Sequence, residues 1–175
     1  MAEPTPDPPT RPFLYVIVCA AGTADGVGKL IDDAQGNGWE VGVIATPTAL
    51  GGFFDLAAVE SQTGRPVRSA WRTPADPRPF PPADAVVVAP ATFNTINKWA
   101  AGIADTLAVA TLCEAFGAGV PVVALPCVND QLATHPAYQD SMRRLRGMGV
   151  RLGEGPFRWE AATELLAGLV RSGGR

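Results

Sequence analysis

Apolar and polar positions along this chain come in blocks. Phe13 to Ala20, Trp39 to Ala45, Ala85 to Ala89 and Gly119 to Leu125 are short runs of β-branched and small apolar residues. Such runs, nearly free of charge, are expected of strands covered on both faces. Between them the spacing turns helical. Asp25 to Asn37 puts Leu30, Ile31 and Ala34 on one face, Leu50 to Gln62 is amphipathic, and Thr95 to Ala118 is helical with a break near Gly102. His135-Pro136 opens a helix to Met148, since proline suits the first helical position. Val67 to Trp71 reads as a short extra strand before a proline-rich stretch, Thr73 to Pro82. Val150 to Leu152 and a helix over Trp159 to Val170 close the chain.

Strands that alternate with helices imply a parallel sheet joined by right-handed crossovers. The expected fold is therefore α/β, a three-layer flavodoxin-like or Rossmann-like domain. At 175 residues there is room for one such domain, over residues 13–175. Residues 1–12 carry five prolines and read as a disordered N-terminal tail. The net charge of −3 gives no case for binding nucleic acid or an anionic membrane. Glu3 and Asp7 stand where a signal peptide would be basic, and Phe13 to Ala21 is too short to span a bilayer, so a cytoplasmic location is expected. Cys19, Cys113 and Cys127 have no C-x-x-C spacing and the chain has one histidine, so no metal site is expected and the thiols should be reduced and buried.

Candidate chemistry gathers where strands end, because ligands of open α/β sheets bind outside the carboxyl ends of the strands. The apolar run Ala85 to Ala89 leads directly into Pro90-Ala91-Thr92-Phe93-Asn94-Thr95-Ile96-Asn97-Lys98. Capping a helix uses one or two polar residues. This turn has four, so Thr92, Asn94, Thr95 and Asn97 are expected to face a bound molecule. The first loop, Ala20 to Gly26, lies between a strand and a helix, where backbone N–H groups suit a phosphate; a plain tight turn is the alternative. It is neither a Walker loop nor a dinucleotide fingerprint, since Leu30 follows Lys29 and Ile31 replaces the third glycine. Thr46 is a ligand contact or a turn residue before Pro47. Asn129 and His135 each read either as functional groups or as helix caps.

The stretch Pro90 to Lys98, with Gly102-Ile103-Ala104-Asp105-Thr106-Leu107, resembles the PASANT motif of the homo-oligomeric flavin-containing cysteine decarboxylases. This group includes phosphopantothenoylcysteine decarboxylase and the lantibiotic decarboxylases. A second family motif, Pro-x-Met-Asn-x-x-Met-Trp followed by His-Pro-Ala, is similar to Pro126 to Ala137, with Val128, Leu132 and Ala133 in place of both methionines and the tryptophan. The resemblance implies FMN as cofactor, held by Gly22, Thr23 and Ala24 at the phosphate, by Thr46, and by Pro90, Ala91, Thr92, Asn94 and Thr95. It implies catalytic roles for Asn129, which orients a substrate carboxylate, and for Asn94. It also implies a homotrimer or homododecamer acting on a peptide with a C-terminal cysteine or a small cysteine conjugate. In that chemistry the flavin takes a hydride from the thiol-bearing carbon, and CO2 is lost to leave an enethiol.

Two departures qualify the activity. Family members place a catalytic histidine between the second strand and the PASANT turn, and residues 47–89 contain none. Trp71, Arg72 and Asp76 occupy that neighbourhood; Arg72 can bind a carboxylate or phosphate bidentately but cannot serve as a base. Asp76 remains as a candidate base, although a solvated role fits it better. The late cysteine of phosphopantothenoylcysteine decarboxylase has no counterpart after Cys127. The rival reading is a flavin-binding accessory or carrier protein without decarboxylase activity. A flavin prenyltransferase is a third, disfavoured because only Tyr15 and Tyr138 are available to hold a prenyl phosphate.

Overall fold

The computed structural model describes residues 11–172. Residues 1–10 of the expected tail lie outside them, and Pro12 is already tied to the sheet, its carbonyl accepting from Glu40 N at 2.9 Å. Five strands, β1 (Phe13–Val18), β2 (Glu40–Ala45), β3 (Ala85–Ala91), β4 (Val122–Pro126) and β5 (Arg151–Leu152), form a parallel sheet in the order β2-β1-β3-β4-β5. This is the flavodoxin-like order, and its direction reverses between β1 and β3. The expectation of a flavodoxin-like three-layer fold is met.

Because side chains alternate across a strand, β1 feeds two cores. Leu14, Val16 and Val18 face helices α1 (Val27–Gly36), α2 (Leu56–Thr63) and α7 (Trp159–Ser172) through Leu30, Ile31, Val59, Ala162 and Leu166. Phe13 and Ile17 face α3 (Phe93–Ala101), α4 (Leu107–Gly117) and α6 (Pro136–Gly147) through Ile96, Trp99, Leu112, Tyr138 and Leu145. A short helix, α5 (Asp130–Ala133), precedes α6. Gly26 opens α1 against α7 so tightly that a Cβ there would lie 2.3 Å from Trp159 Nε1.

Several boundaries differ from the sequence reading. The first helix begins with a 3-10 turn, Ala24–Gly26, before α1. The amphipathic stretch from Leu50 becomes helical only at Leu56, where Asp55 Oδ1 accepts from Ala58 N at 3.0 Å and caps α2. The break near Gly102 is present: Gly102 ends α3 at φ +73°, and α4 starts afresh at Leu107. The strand expected over Val67 to Trp71 does not form. Only Arg68 reaches β2, bridging Ile44 through Arg68 N to Val43 O (2.9 Å) and Ala45 N to Arg68 O (2.7 Å). Pro66, two residues before the bridge, brings no N–H to extend that ladder, and two residues after it the Ala70 carbonyl is taken by Arg68 Nη2 at 2.9 Å. Among the described residues no helix is long and apolar enough to cross a membrane.

Candidate functional site

The carboxyl ends of β1, β2 and β3 and the starts of α3 and α4 enclose a cavity of about 400 Å³, lined by Ala20, Thr46, Pro47, Thr48, Thr92, Asn94, Thr95, Lys98, Asp105, Thr106 and Val109. It lies at the reversal point of the strand order, where a three-layer sheet of this kind takes its ligand. Helix starts supply much of the wall. Thr92 Oγ1 accepts from Thr95 N at 3.5 Å and caps α3, and Thr106 Oγ1 accepts from Val109 N at 3.3 Å and caps α4. Two helix N-termini therefore present their positive dipole ends to one cavity, a setting that favours electron-rich groups.

Thr95 is the most deeply set polar group, 3% exposed. Its Oγ1 accepts from Thr92 Oγ1 and from Cys19 Sγ, each at 3.3 Å, so its own O–H proton has no acceptor among the described residues. Burial pushes the Cys19 thiol above its ordinary ionisation range, so it stays a neutral donor beneath the site. The Asn94 side chain is exposed and makes no hydrogen bond within the described chain. Thr46 serves both readings, since its Oγ1 accepts from Ala49 N at 3.3 Å to shape the turn while the residue lines the cavity.

Other expected residues lie around this centre. Pro90 and Ala91 are buried in β3, and their carbonyls accept from Cys19 N (3.2 Å) and Cys127 N (2.9 Å), so they frame the site from below. In the first loop, Gly22 has open space within 4 Å of the position a Cβ would take, and the N–H groups of Gly22 and Thr23 bond to no described acceptor. Ala24 differs from expectation: its side chain is fully buried in the core and its N–H donates to Ala21 O at 2.9 Å, which leaves neither group for a phosphate. Thr23 Oγ1 lies 3.5 Å from Cys127 Sγ, which places the β4 loop beside the first loop.

Asn129 is outside the cavity lining. Its Oδ1 accepts from Leu132 N at 2.9 Å and caps α5, while its Nδ2 makes no bond among the described residues. His135 is a helix cap, with Nδ1 accepting from Ala137 N at 3.1 Å. Asn97, expected to face a ligand, instead accepts from Ser141 Oγ at 2.7 Å across the α3–α6 contact. Asp76 has its carboxylate on Thr73 N and Oγ1 at 2.7 and 2.9 Å, and these bonds hold it below the usual carboxylate range, which weakens it as a base. Of the three thiols only Cys19 is fully buried; Cys113 and Cys127 are half-buried.

The sequence reading passed over Lys98, Asp105 and Thr106. Lys98 Nζ meets Asp105 Oδ2 at 2.5 Å and closes the cavity wall between α3 and α4. Lys98 was detectable, since it stands four residues after Asn94 and so shares its helical face.

The residues present suit a flavin. Free loop N–H groups and an open glycine flank suit its phosphate, and two capped helix starts with an unspent Thr95 proton suit the polar edge of its ring. The flavoprotein family profile matches residues 7–168. The chain belongs to the flavoprotein family. This flavoprotein is 37% identical over 139 residues to the coenzyme A biosynthesis bifunctional protein CoaBC of Mycobacterium bovis, covering 77% of this chain and 31% of that one. It is 36% identical over 91 residues to a cysteine/cysteine sulfinic acid decarboxylase of an unknown prokaryotic organism, covering 52% and 23%. It therefore spans less than a third of the length of these curated relatives. Among solved structures, the FMN-dependent cysteine decarboxylase SpaF superposes with a TM-score of 0.73 at 26% identity, over 91% of this chain and 98% of that one. The FMN-binding protein AtHal3, at 19% identity and a TM-score of 0.78 over 94% and 100%, shows the shared fold.

Proposed function

We propose that this flavoprotein binds FMN in the cavity at the β1–β3 reversal and oxidatively decarboxylates a substrate bearing a cysteine, either the C-terminal residue of a peptide or a small cysteine conjugate. The observation that carries the reading is the assembly of Thr46, Thr92, Asn94 and Thr95 around one cavity between two capped helix starts. Family membership and the similarity to SpaF support it. Bound FMN supplies the hydride acceptor for the thiol-bearing carbon, which is what lets the adjacent carboxylate leave as CO2.

The chain's own residues position and exclude. Gly22 and Thr23 N–H hold the phosphate, Thr95 donates its spare proton to the ring edge, and Asn94 fixes ring geometry. Asn129 has Nδ2 free to donate to the substrate carboxylate while Oδ1 stays committed to the α5 cap, so one side chain both orders the loop and orients the leaving group. In the absence of the family's histidine, the thiol proton is released without a dedicated imidazole. A homotrimer or larger assembly of trimers is the oligomeric state this reading carries, and light scattering at micromolar concentration tests it.

The second reading, flavin binding without decarboxylation, is favoured by one observation: His135, the single histidine, is committed to a helix cap, and Asp76 to Thr73. Incubation of FMN-loaded protein with peptides ending in cysteine separates the two. Loss of CO2 and two hydrogens by mass spectrometry is expected, and Asn129→Ala abolishes it while the yellow cofactor stays bound. Untouched peptides in the presence of intact FMN would leave the second reading standing.

A further inference from the structure

A second concavity, of about 620 Å³, opens beside the cavity. Arg68, Trp71, Arg72 and Arg78 line one wall; Thr111 and Glu114 of α4 line the other. In a chain of net charge −3, three guanidinium groups facing one carboxylate reverse the sign locally. None of the three forms an ion pair among the described residues. Arg68 Nη2 donates to Ala70 O at 2.9 Å and Arg72 Nη1 to Asp76 O at 3.0 Å, both neutral carbonyls, and Arg78 makes no hydrogen bond with any described residue. Asp76 is the other nearby acid, and Arg72 and Arg68 add to the Thr73 bonds that keep it ionised, but it forms an ion pair with neither arginine and its Oδ2 takes both Thr73 bonds.

Guanidinium forks without carboxylate partners are donors for an external anion. Pro74, Pro79 and Pro82 also line this groove and bring no backbone N–H, so recognition rests on side chains, the arginines among them standing four and six residues apart along an irregular segment. A compact phosphate is held best by convergent N–H groups. Separate arginines suit several carboxylates along an extended chain instead, and Trp71, 57% exposed, offers that chain a flat apolar face. Groove and cavity also share their borders. Ile44 and Leu107 line the groove, while Thr46 and Thr106, two residues and one residue away, line the cavity.

We propose that this groove is the subsite for an acidic stretch of a peptide substrate, lying upstream of the cysteine that enters the cavity. The proposal rests on the cavity being a cysteine-decarboxylating flavin site. The test uses FMN-loaded full-length protein and dye-labelled peptides ending in cysteine, one carrying a run of glutamates upstream and one carrying glutamines. Fluorescence anisotropy should give about tenfold tighter binding of the acidic peptide, the sum of three partly solvated charge contacts. The preference should vanish at about 1 M salt, where the screening length falls to about 3 Å. Combining Arg68→Gln, Arg72→Gln and Arg78→Gln should lower the acidic peptide to the affinity of the neutral one, and Arg78→Gln alone, at an exposed side chain with no hydrogen bond among the described residues, should remove part of the preference. Flavin absorbance checks that each variant is folded.

Equal affinity for both peptides in the wild type overturns the proposal, as does a preference that survives all three substitutions. A phosphorylated small cysteine conjugate that outcompetes the acidic peptide at the groove overturns it as well. So does a triple variant whose light-scattering mass falls while the wild type lacks peptide selectivity, which would make the groove a contact between copies. Because anisotropy reads binding without turnover, selective binding with no decarboxylation sinks the chemistry and keeps the groove. Decarboxylation with no charge preference does the reverse.

Discussion

The cavity and the arginine groove share the end of β2 and the start of α4, yet they are built in opposite ways. Most of the cavity is made where connections are short, after β1 and β3 and before α4. One residue, Thr92, separates β3 from α3, and its hydroxyl is spent on cap and Thr95 alike. The groove is made by the long segment between α2 and β3, which is pinned to the sheet at its ends by Arg65, Phe80 and Asp84, forms a single ladder bridge at Arg68, and carries between them arginines with few partners. Short loops on rigid elements fix atoms for a cofactor of constant shape. A long irregular segment leaves charge free for an occupant that varies.

If that contrast holds, damage on the cavity side should be severe and damage on the groove side mild. The largest effect is expected from Gly26→Val, because the added atoms meet Trp159 where a Cβ already falls 2.3 Å from Nε1. Overpacking of this kind costs about 1–3 kcal/mol, read as a lower urea midpoint, and should weaken FMN retention because the neighbouring first loop shifts with α1. An unchanged midpoint would show that this end of α1 is as yielding as the groove.

Thr95→Val comes next. It strands the Cys19 thiol and Thr92 hydroxyl donors and removes the proton offered to the cavity, a loss of about 1–3 kcal/mol for a buried polar group left unpaired. FMN affinity should fall about tenfold or more by fluorescence titration. Full affinity would remove Thr95 from the flavin site.

A smaller effect is expected from alkali. The folded chain holds the Cys19 proton beyond the thiol's ordinary value of 9.0, whereas the unfolded chain releases it there. Stability from this group is therefore complete below that value and is lost as pH rises through the raised folded value. Tyr15, Tyr138 and Cys113 are shifted in the same direction by burial and add to the decline. Melting temperature should fall on the alkaline side, and Cys19→Ala should flatten the earliest part of the curve.

The smallest effect is expected from Asp76→Asn, on the groove side. Turnover should persist, since the carboxylate is already committed to Thr73. A collapse of the rate with FMN still bound would make Asp76 the missing base and erase the contrast between the two regions.

The cavity was legible in the sequence where chemistry is local. A buried run that ends in Thr92, Asn94 and Thr95 declares a strand end and a cap within a few residues, and all three line the cavity. Asn97 misled because a small difference in helix phase decides the outcome: at about 100° per residue, Lys98 falls about 40° to one side of Asn94 and Asn97 about 60° to the other, where α6 takes its side chain through Ser141. Ala24 misled because loop position says nothing about which way a methyl points. Val67 to Trp71 failed as a strand because ladder formation depends on partners far away in the chain, and only Arg68 found one. The groove was legible only as three arginines and many prolines; their meeting with α4 is long-range.

The lone bridge at Arg68 also bears on solubility. Strand β2 is an outer strand, and unpaired outer strands invite another molecule's backbone to add on, the first step toward ribbons and fibrils. Here Val43 O and Ala45 N are taken by Arg68, and the opposite margin of the sheet, β5, is only two residues long. Neither margin offers a long free template, so assembly of this protein is steered away from sheet extension and toward contacts between side-chain surfaces.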